Sequence, residues 1–109
     1  MITIREPLLT IFVYATLKRQ NIIQHVLHRH VAERAATLYG WRQVYGEWPS
    51  IVADRRSICR GDLLILKSVA ELTALDNWEE KYERHQVTVR DHDIGDIQAW
   101  VYILDRRKL

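Results

Sequence analysis

Ile11-Phe12-Val13-Tyr14-Ala15-Thr16-Leu17-Lys18-Arg19 joins an apolar run to a small-residue turn and two cations. β-Branched and aromatic residues dominate residues 8–14, which predicts a buried first strand. The strand stops at Tyr14, and small side chains follow at Ala15 and Thr16. A strand ending this way presents consecutive backbone N–H groups beside the positive charge of Lys18 and Arg19. Such a turn suits a carboxylate or a phosphate.

Downstream, Ile22, Ile23, Val26 and Leu27 recur at helical spacing, which predicts a short helix over residues 21–29. Residues 37–45 read as a second strand. Gly46-Glu47-Trp48-Pro49-Ser50 then breaks regular structure, because proline lacks an N–H and restrains the residue before it. Residues 51–53 read as a short strand, 54–56 as a turn, and 57–66 as a further strand. The glycine inside that strand, Gly61, marks a bulge or a close backbone approach. Ser68-Val69-Ala70-Glu71 is a capping-box pattern that starts a helix running towards Trp78. Residues 86–90 and 97–104 complete the strands, with residues 91–96 as a hairpin loop. Several strands with two helices predict an α+β fold, its sheet curled into a small barrel.

The second helix carries a carboxylate of interest. Helix residues rotate by about 100° each, so Leu72 and Glu79, seven positions apart, fall within about 20° of one another. Leu75 shares the stripe and Val69 lies at its edge. A helix reaching Glu79 puts this carboxylate on the core-facing side, where desolvation raises its pKa and makes it a proton acceptor near neutral pH. Two other readings stand beside this one. The helix ends at Trp78 and Glu79 turns into water, or Arg84 or Lys81 pairs with Glu79 and holds it ionised. Glu80 and Glu83 fall off the stripe and read as solvated.

At 109 residues the chain fits one domain, residues 1–109, with one core. A hydrophobic share of 48% argues against wholesale disorder. A formal charge of +2, with Lys and Arg spread along the sequence, argues against a nucleic-acid partner. The early apolar stretch is too short to span a bilayer, so no membrane association is expected. The lone Cys59 cannot form an internal disulfide, which suits a reducing cytoplasm; its place in an apolar strand pattern reads as core filler rather than a nucleophile. His25, His28 and His30 lack an Asp, Glu or Cys to complete a metal site, so no metal is expected. Trp41, Trp48, Trp78 and Trp100 read as barrel core before they read as ligand platforms. The hydroxyl of Thr16 lacks an evident activating base and reads as a hydrogen-bond donor in the turn.

Several segments, taken in order, resemble the gamma-glutamylcyclotransferase-like (AIG2-like) family. Tyr14-Ala15-Thr16-Leu17 is similar to that family's Tyr-Gly-Thr/Ser-Leu turn. Trp48-Pro49-Ser50-Ile51-Val52 resembles its aromatic-Pro-small-apolar segment, and Arg60-Gly61-Asp62-Leu63 its Gly-Glu-Leu strand. Leu75-Asp76-Asn77-Trp78-Glu79-Glu80, followed by Tyr82-Glu83-Arg84, resembles its Leu-Asp-x-x-Glu-Gly and Tyr-x-Arg motifs. Ala99-Trp100-Val101-Tyr102 matches its last strand. Order and spacing agree from Ile11 to about Leu104.

The resemblance implies a fold, a small mixed β-barrel with two or more short helices, and a chemistry, cyclisation of a γ-glutamyl group to 5-oxoproline with release of an amine or amino acid. It implies Glu79 as acid/base and Tyr14, Ala15, Thr16, Leu17, Lys18 and Tyr82 as substrate-binding residues, with no cofactor. The expected partner is a small γ-glutamyl or other carboxylate-bearing molecule. Ala15 and Glu80 depart from the family's pattern, each replacing a glycine. These departures motivate an alternative, a non-catalytic small-anion-binding module of the same fold. A third reading, a protein-interaction or nucleic-acid module, has only exposed aromatics and the tail Arg106-Arg107-Lys108 behind it. The leaving amine and the oligomeric state are not legible in the sequence.

Overall fold

A computed structural model describes residues 8–15 and 20–109. Its elements in chain order are β1 (Thr10–Val13), α1 (Gln20–Leu27), β2 (Arg34–Val44), β3 (Ser50–Ile65), α2 (Val69–Trp78), β4 (Tyr82–Asp91) and β5 (Gly95–Leu104), then a short 3₁₀ turn at Arg106–Lys108. The strands close into a barrel in the order β1-β3-β2-β4-β5. The closure is parallel, through Ile11 opposite Trp100, and the other pairings are antiparallel. The expected small mixed barrel with two helices is the fold observed.

Alternation along β1 explains why its run is apolar on both faces. Ile11 and Val13 pack with Ile23 and Leu27 of α1 and Leu72 and Leu75 of α2. Phe12 and Tyr14 point the other way, into a cluster built from all five strands that includes Leu38, Cys59, Leu63, Val89 and Val101. Period-two geometry thus gives one strand two apolar neighbourhoods, the barrel interior and the helix layer. Cys59 lies in the interior cluster, in agreement with its reading as core filler.

Several boundaries shift. α1 ends at Leu27 rather than Arg29, because His28 adopts a left-handed φ of 59° while its N–H still reaches the Gln24 carbonyl at 2.8 Å. The segment 54–56, read as a turn, lies within the continuous strand β3. The misreading has a physical source. The β2–β3 register shifts between Tyr39 and Trp41, where Gly40 has φ 85°, and Asp54 accepts bonds from the Arg56 N–H at 3.1 Å and the Ser57 hydroxyl at 2.9 Å. That is local turn chemistry inside a bulged strand. β2, β4 and β5 each begin earlier than their apolar patterns suggest, and the hairpin loop contracts to the residues between Asp91 and Gly95. Asp91 caps this loop by accepting from the N–H groups of Asp93 and Ile94.

Gly61 marks a close approach, as its place in the strand predicts. A Cβ there would fall 2.2 Å from the Val13 carbonyl oxygen and 2.7 Å from Phe12 Cζ. Glycine lets β3 lie against the end of β1, beside Tyr14.

Ser68 caps α2 by accepting from the Glu71 N–H at 3.4 Å. Glu71 returns its bond to the Lys67 N–H at 2.7 Å, rather than to Ser68, and also takes a two-pronged contact from Arg29, both prongs at 2.7 Å. This charged fork fixes α2 against the chain leaving α1.

Candidate functional site

Where α2 ends, its last turn meets the barrel at the end of β1. Trp78 is the final helical residue; Glu79 has left helical geometry (φ −91°, ψ 49°) but keeps the helical bond from its N–H to the Leu75 carbonyl, 2.9 Å. The stripe argument and the early-termination reading therefore each hold in part. Leu72 and Leu75 are buried, and Glu79 follows them onto the half-buried side although the helix has stopped. Val69, at the stripe's edge, is exposed.

Glu79 lines a cavity of about 300 Å³ together with Tyr14, Ala15 and Tyr82. Burial pushes its carboxyl up to about 7. The alternative of a stabilising ion pair is not realised among the described residues. Arg84 instead reaches Asp76 at 3.3 Å and lies 4.3 Å from the centre of the Trp100 ring. Lys81 places its ammonium 4.9 Å from the centre of the Trp48 ring. Glu80 is exposed at the cavity edge, and the rise at Glu79 comes from desolvation rather than from this neighbouring carboxylate.

Three phenols surround the carboxyl. Tyr14 donates to the Tyr102 carbonyl at 2.5 Å, Tyr102 donates to Asp76 Oδ1 at 2.7 Å, and Tyr82 donates to the Pro49 carbonyl at 2.6 Å. Burial raises the pKa of each, so all three remain neutral hydroxyls at physiological pH. Their protons are committed to fixed acceptors, and beside these neutral hydroxyls burial brings the Glu79 carboxyl to about 7.

The turn carries a second feature. Ala15 has φ 54°, the left-handed region. The backbone conformation for which glycine is best suited is therefore adopted here with a methyl group in place. Thr16, Leu17 and Lys18, and Arg19 beside them, lie outside the described residues.

The sequence reading passed over part of the lining. Trp48 and Trp78 are not barrel core; both are exposed and line the cavity, as do Glu47 and Lys81. The proline-containing break around Trp48 was the available signal, since a loop tryptophan has no strand face to bury it. Tyr102 also lines the cavity, and nothing in the alternation of β5 distinguishes it from a core residue. His25 packs edge-on against Trp78, ring centres 5.5 Å apart. Among the described residues no cluster of three His, Cys, Asp or Glu side chains is placed to hold a metal. No helix there is long and apolar enough to cross a membrane.

Comparison with known proteins agrees with this architecture. A protein of Arabidopsis thaliana solved in solution superposes with a TM-score of 0.79 at 26% identity, over 94% of this chain and 74% of that one. An AIG2-like protein from Mus musculus gives 0.72 at 22% identity, over 94% and 83%. A structure described as a gamma-glutamyl cyclotransferase gives 0.76 at 15% identity, over 88% and 66%, a likeness of fold. No curated protein matches by sequence. The family described as gamma-glutamyl cyclotransferase, AIG2-like, matches residues 11–109, the span that contains the barrel but for Thr10, both helices and every described residue lining the cavity, and the chain belongs to that family.

Proposed function

We propose that this protein is a gamma-glutamyl cyclotransferase that releases 5-oxoproline and a free amine or amino acid from a small γ-glutamyl substrate, with Glu79 as the acid/base. The observation that carries the reading is a carboxyl with pKa about 7, unpaired among the described residues, in a cavity bounded by Tyr14 and Ala15.

In this reading the substrate's α-amine, as the free base, attacks its own γ-amide carbonyl carbon. A new C–N bond closes the five-membered ring, and the carbonyl π electrons move onto oxygen. Glu79 takes the proton that the attacking nitrogen sheds. It then delivers this proton to the departing nitrogen as the intermediate collapses and the original amide C–N bond breaks. No electrons are gained or lost, and one carboxyl serves both steps because its pKa lies between those of a strong acid and a strong base. Backbone N–H groups of the turn from Tyr14 through Thr16, Leu17 and Lys18 are assigned to the substrate's α-carboxylate and the developing oxyanion. Tyr82 is assigned a place against the substrate, and its bond to the Pro49 carbonyl holds the Trp48 loop over the cavity. The single cysteine fits a cytoplasmic setting.

Glu80, standing where the family has glycine, favours a second reading, a non-catalytic module that binds a small anion. Direct measurement of 5-oxoproline from a panel of γ-glutamyl amines and dipeptides separates the two. Turnover that collapses in Glu79→Gln supports the enzyme; ligand binding without turnover across the panel supports the module.

A further inference from the structure

Ser50 opens β3 immediately after the proline-containing break, and it is buried. The mechanism above does not use it. A buried hydroxyl needs partners, so the destinations of its hydrogen bonds carry information. Its oxygen accepts the Leu104 N–H at 2.9 Å, and its hydroxyl is hydrogen-bonded to the Tyr14 phenol. Tyr14 directs its only proton to the Tyr102 carbonyl. Between the two hydroxyls, therefore, Ser50 donates and Tyr14 accepts. The chain of bonds has one sense: the Leu104 N–H to Ser50, Ser50 to Tyr14, and Tyr14 to the Tyr102 carbonyl.

Leu104 and Tyr102 belong to β5, and Tyr14 follows directly on β1, whose backbone meets β5 at Ile11 opposite Trp100. Beyond that pair, two side-chain hydroxyls satisfy the Tyr102 carbonyl and the Leu104 N–H in place of a ladder between strands. Side chains thus hold the barrel's seam where the cavity lies, since Tyr14 and Tyr102 both line it. The residue before Ser50 does the same for a further lining phenol: the Pro49 carbonyl takes the Tyr82 hydroxyl at 2.6 Å. Two consecutive residues, Pro49 and Ser50, anchor two of the tyrosines that share the cavity with Glu79.

We propose that Ser50 is a positioning residue of this site: by donating to Tyr14 it fixes the phenol against β5, and with it the first residue of the turn assigned to the substrate's α-carboxylate. This rests on the reading of the cavity as a γ-glutamyl site. Ser50 touches no substrate and acts through Tyr14. Without its hydroxyl the phenol keeps a single bond, to the Tyr102 carbonyl, and is free to pivot about it. Small displacements of a group that orients substrate are costly to rate, because the reacting atoms must meet in one geometry.

A double-mutant cycle of Ser50→Ala and Tyr14→Phe tests it. The kcat/KM for 5-oxoproline release is measured with γ-glutamyl-n-butylamide. Dissociation constants for the same amide come from calorimetry on Glu79→Gln proteins carrying the same substitutions. Ser50→Ala should lower kcat/KM by roughly tenfold or more. Tyr14→Phe should lower it comparably, and adding Ser50→Ala to Tyr14→Phe should cost nothing further. The dissociation constants should show the same coupling. Melting temperature should respond differently: Ser50→Ala should lower it in both Tyr14 backgrounds, because the Leu104 N–H loses its acceptor in each. A purely structural role would carry the rate down in both backgrounds as well, and that result would overturn the proposal while leaving the cyclotransferase reading intact. Wild-type rates in Tyr14→Phe would overturn it too, and this arm holds even where Ser50→Ala does not fold. No 5-oxoproline from the wild type, with coupling present in the dissociation constants, would uphold the role of Ser50 and remove the cyclotransferase reading. No 5-oxoproline with additive dissociation constants, or with no binding, would overturn both.

Discussion

The Tyr102 hydroxyl donates to Asp76 Oδ1 at 2.7 Å and so ties β5 of the barrel wall to α2, three residues before Glu79. The same oxygen, Oδ1, takes Arg84 Nε at 3.3 Å, and Arg84 in turn lies over Trp100. The end of α2 is therefore tied to the barrel in addition to its own cap, the Glu79 N–H on the Leu75 carbonyl. Tyr102→Phe should keep the ring's packing and lose this tie, lowering stability by about 1 kcal/mol in chemical denaturation, the usual scale for a lost hydrogen bond. Under the proposed mechanism it should also lower turnover several-fold by loosening the position of Glu79. An unchanged denaturation midpoint would show that the tie contributes nothing.

Glu79→Gln retains the size of the side chain and removes the titratable group. Ligand binding should persist while 5-oxoproline release falls by about 10²-fold or more, the scale for a positioned acid/base. Equal rates in variant and wild type would exclude Glu79 as the catalyst.

The same carboxyl makes stability depend on pH in a direction that can be worked out. Burial raises its pKa from 4.5 unfolded to about 7 folded. Between these values the folded state holds a proton that the unfolded state has released, so its contribution to stability falls as pH rises from about 4.5 to about 7 and stays low above that. Each unit of difference corresponds to about 1.4 kcal/mol. Glu79→Gln should therefore be more stable than the wild type at pH 8, with the difference vanishing by pH 4. If Glu79 is the base, the acidic limb of kcat/KM should bend near pH 7 in the wild type and be absent from the residual activity of the variant.

Ala15→Gly should be neutral to mildly stabilising. Releasing a left-handed alanine gains roughly 1–2 kcal/mol, offset by the roughly 0.5–1 kcal/mol of extra unfolded-state freedom that glycine brings. Turnover should stay equal or rise. A marked loss of stability would mean that the Ala15 methyl packs productively against the barrel cluster.

Gly61→Ala should be the most damaging single-methyl change in the barrel. The added carbon meets a backbone oxygen at 2.2 Å, which no rotamer change relieves. A loss at or above the upper end of the usual 1–3 kcal/mol for overpacking is expected from the melting transition. A variant that melts like the wild type would show that β1 can shift away from β3 without cost.

Much of the molecule was legible from local pattern. Runs of apolar, β-branched and aromatic residues identified the strands, helical spacing α1, and Ser68 and Glu71 the start of α2, because each is set by neighbours within a few residues. The Leu72–Leu75–Glu79 stripe pointed to the side on which the carboxylate would lie. What the sequence left open was decided between distant segments. Whether Glu79 meets water or a cation depends on Arg84 choosing Asp76 and Trp100 and on Lys81 choosing Trp48, choices made by barrel closure. Trp48 and Trp78 look like core residues in a one-dimensional pattern; only the packing of α2 against the end of β1 turns them into cavity walls. Asp54 shows the reverse case, where turn-forming chemistry read correctly as local was overridden by long-range strand pairing. Backbone periodicity is a local property and survives in the sequence. The desolvation of one carboxyl is a sum over everything the fold brings near it, and only the tertiary structure supplies that sum.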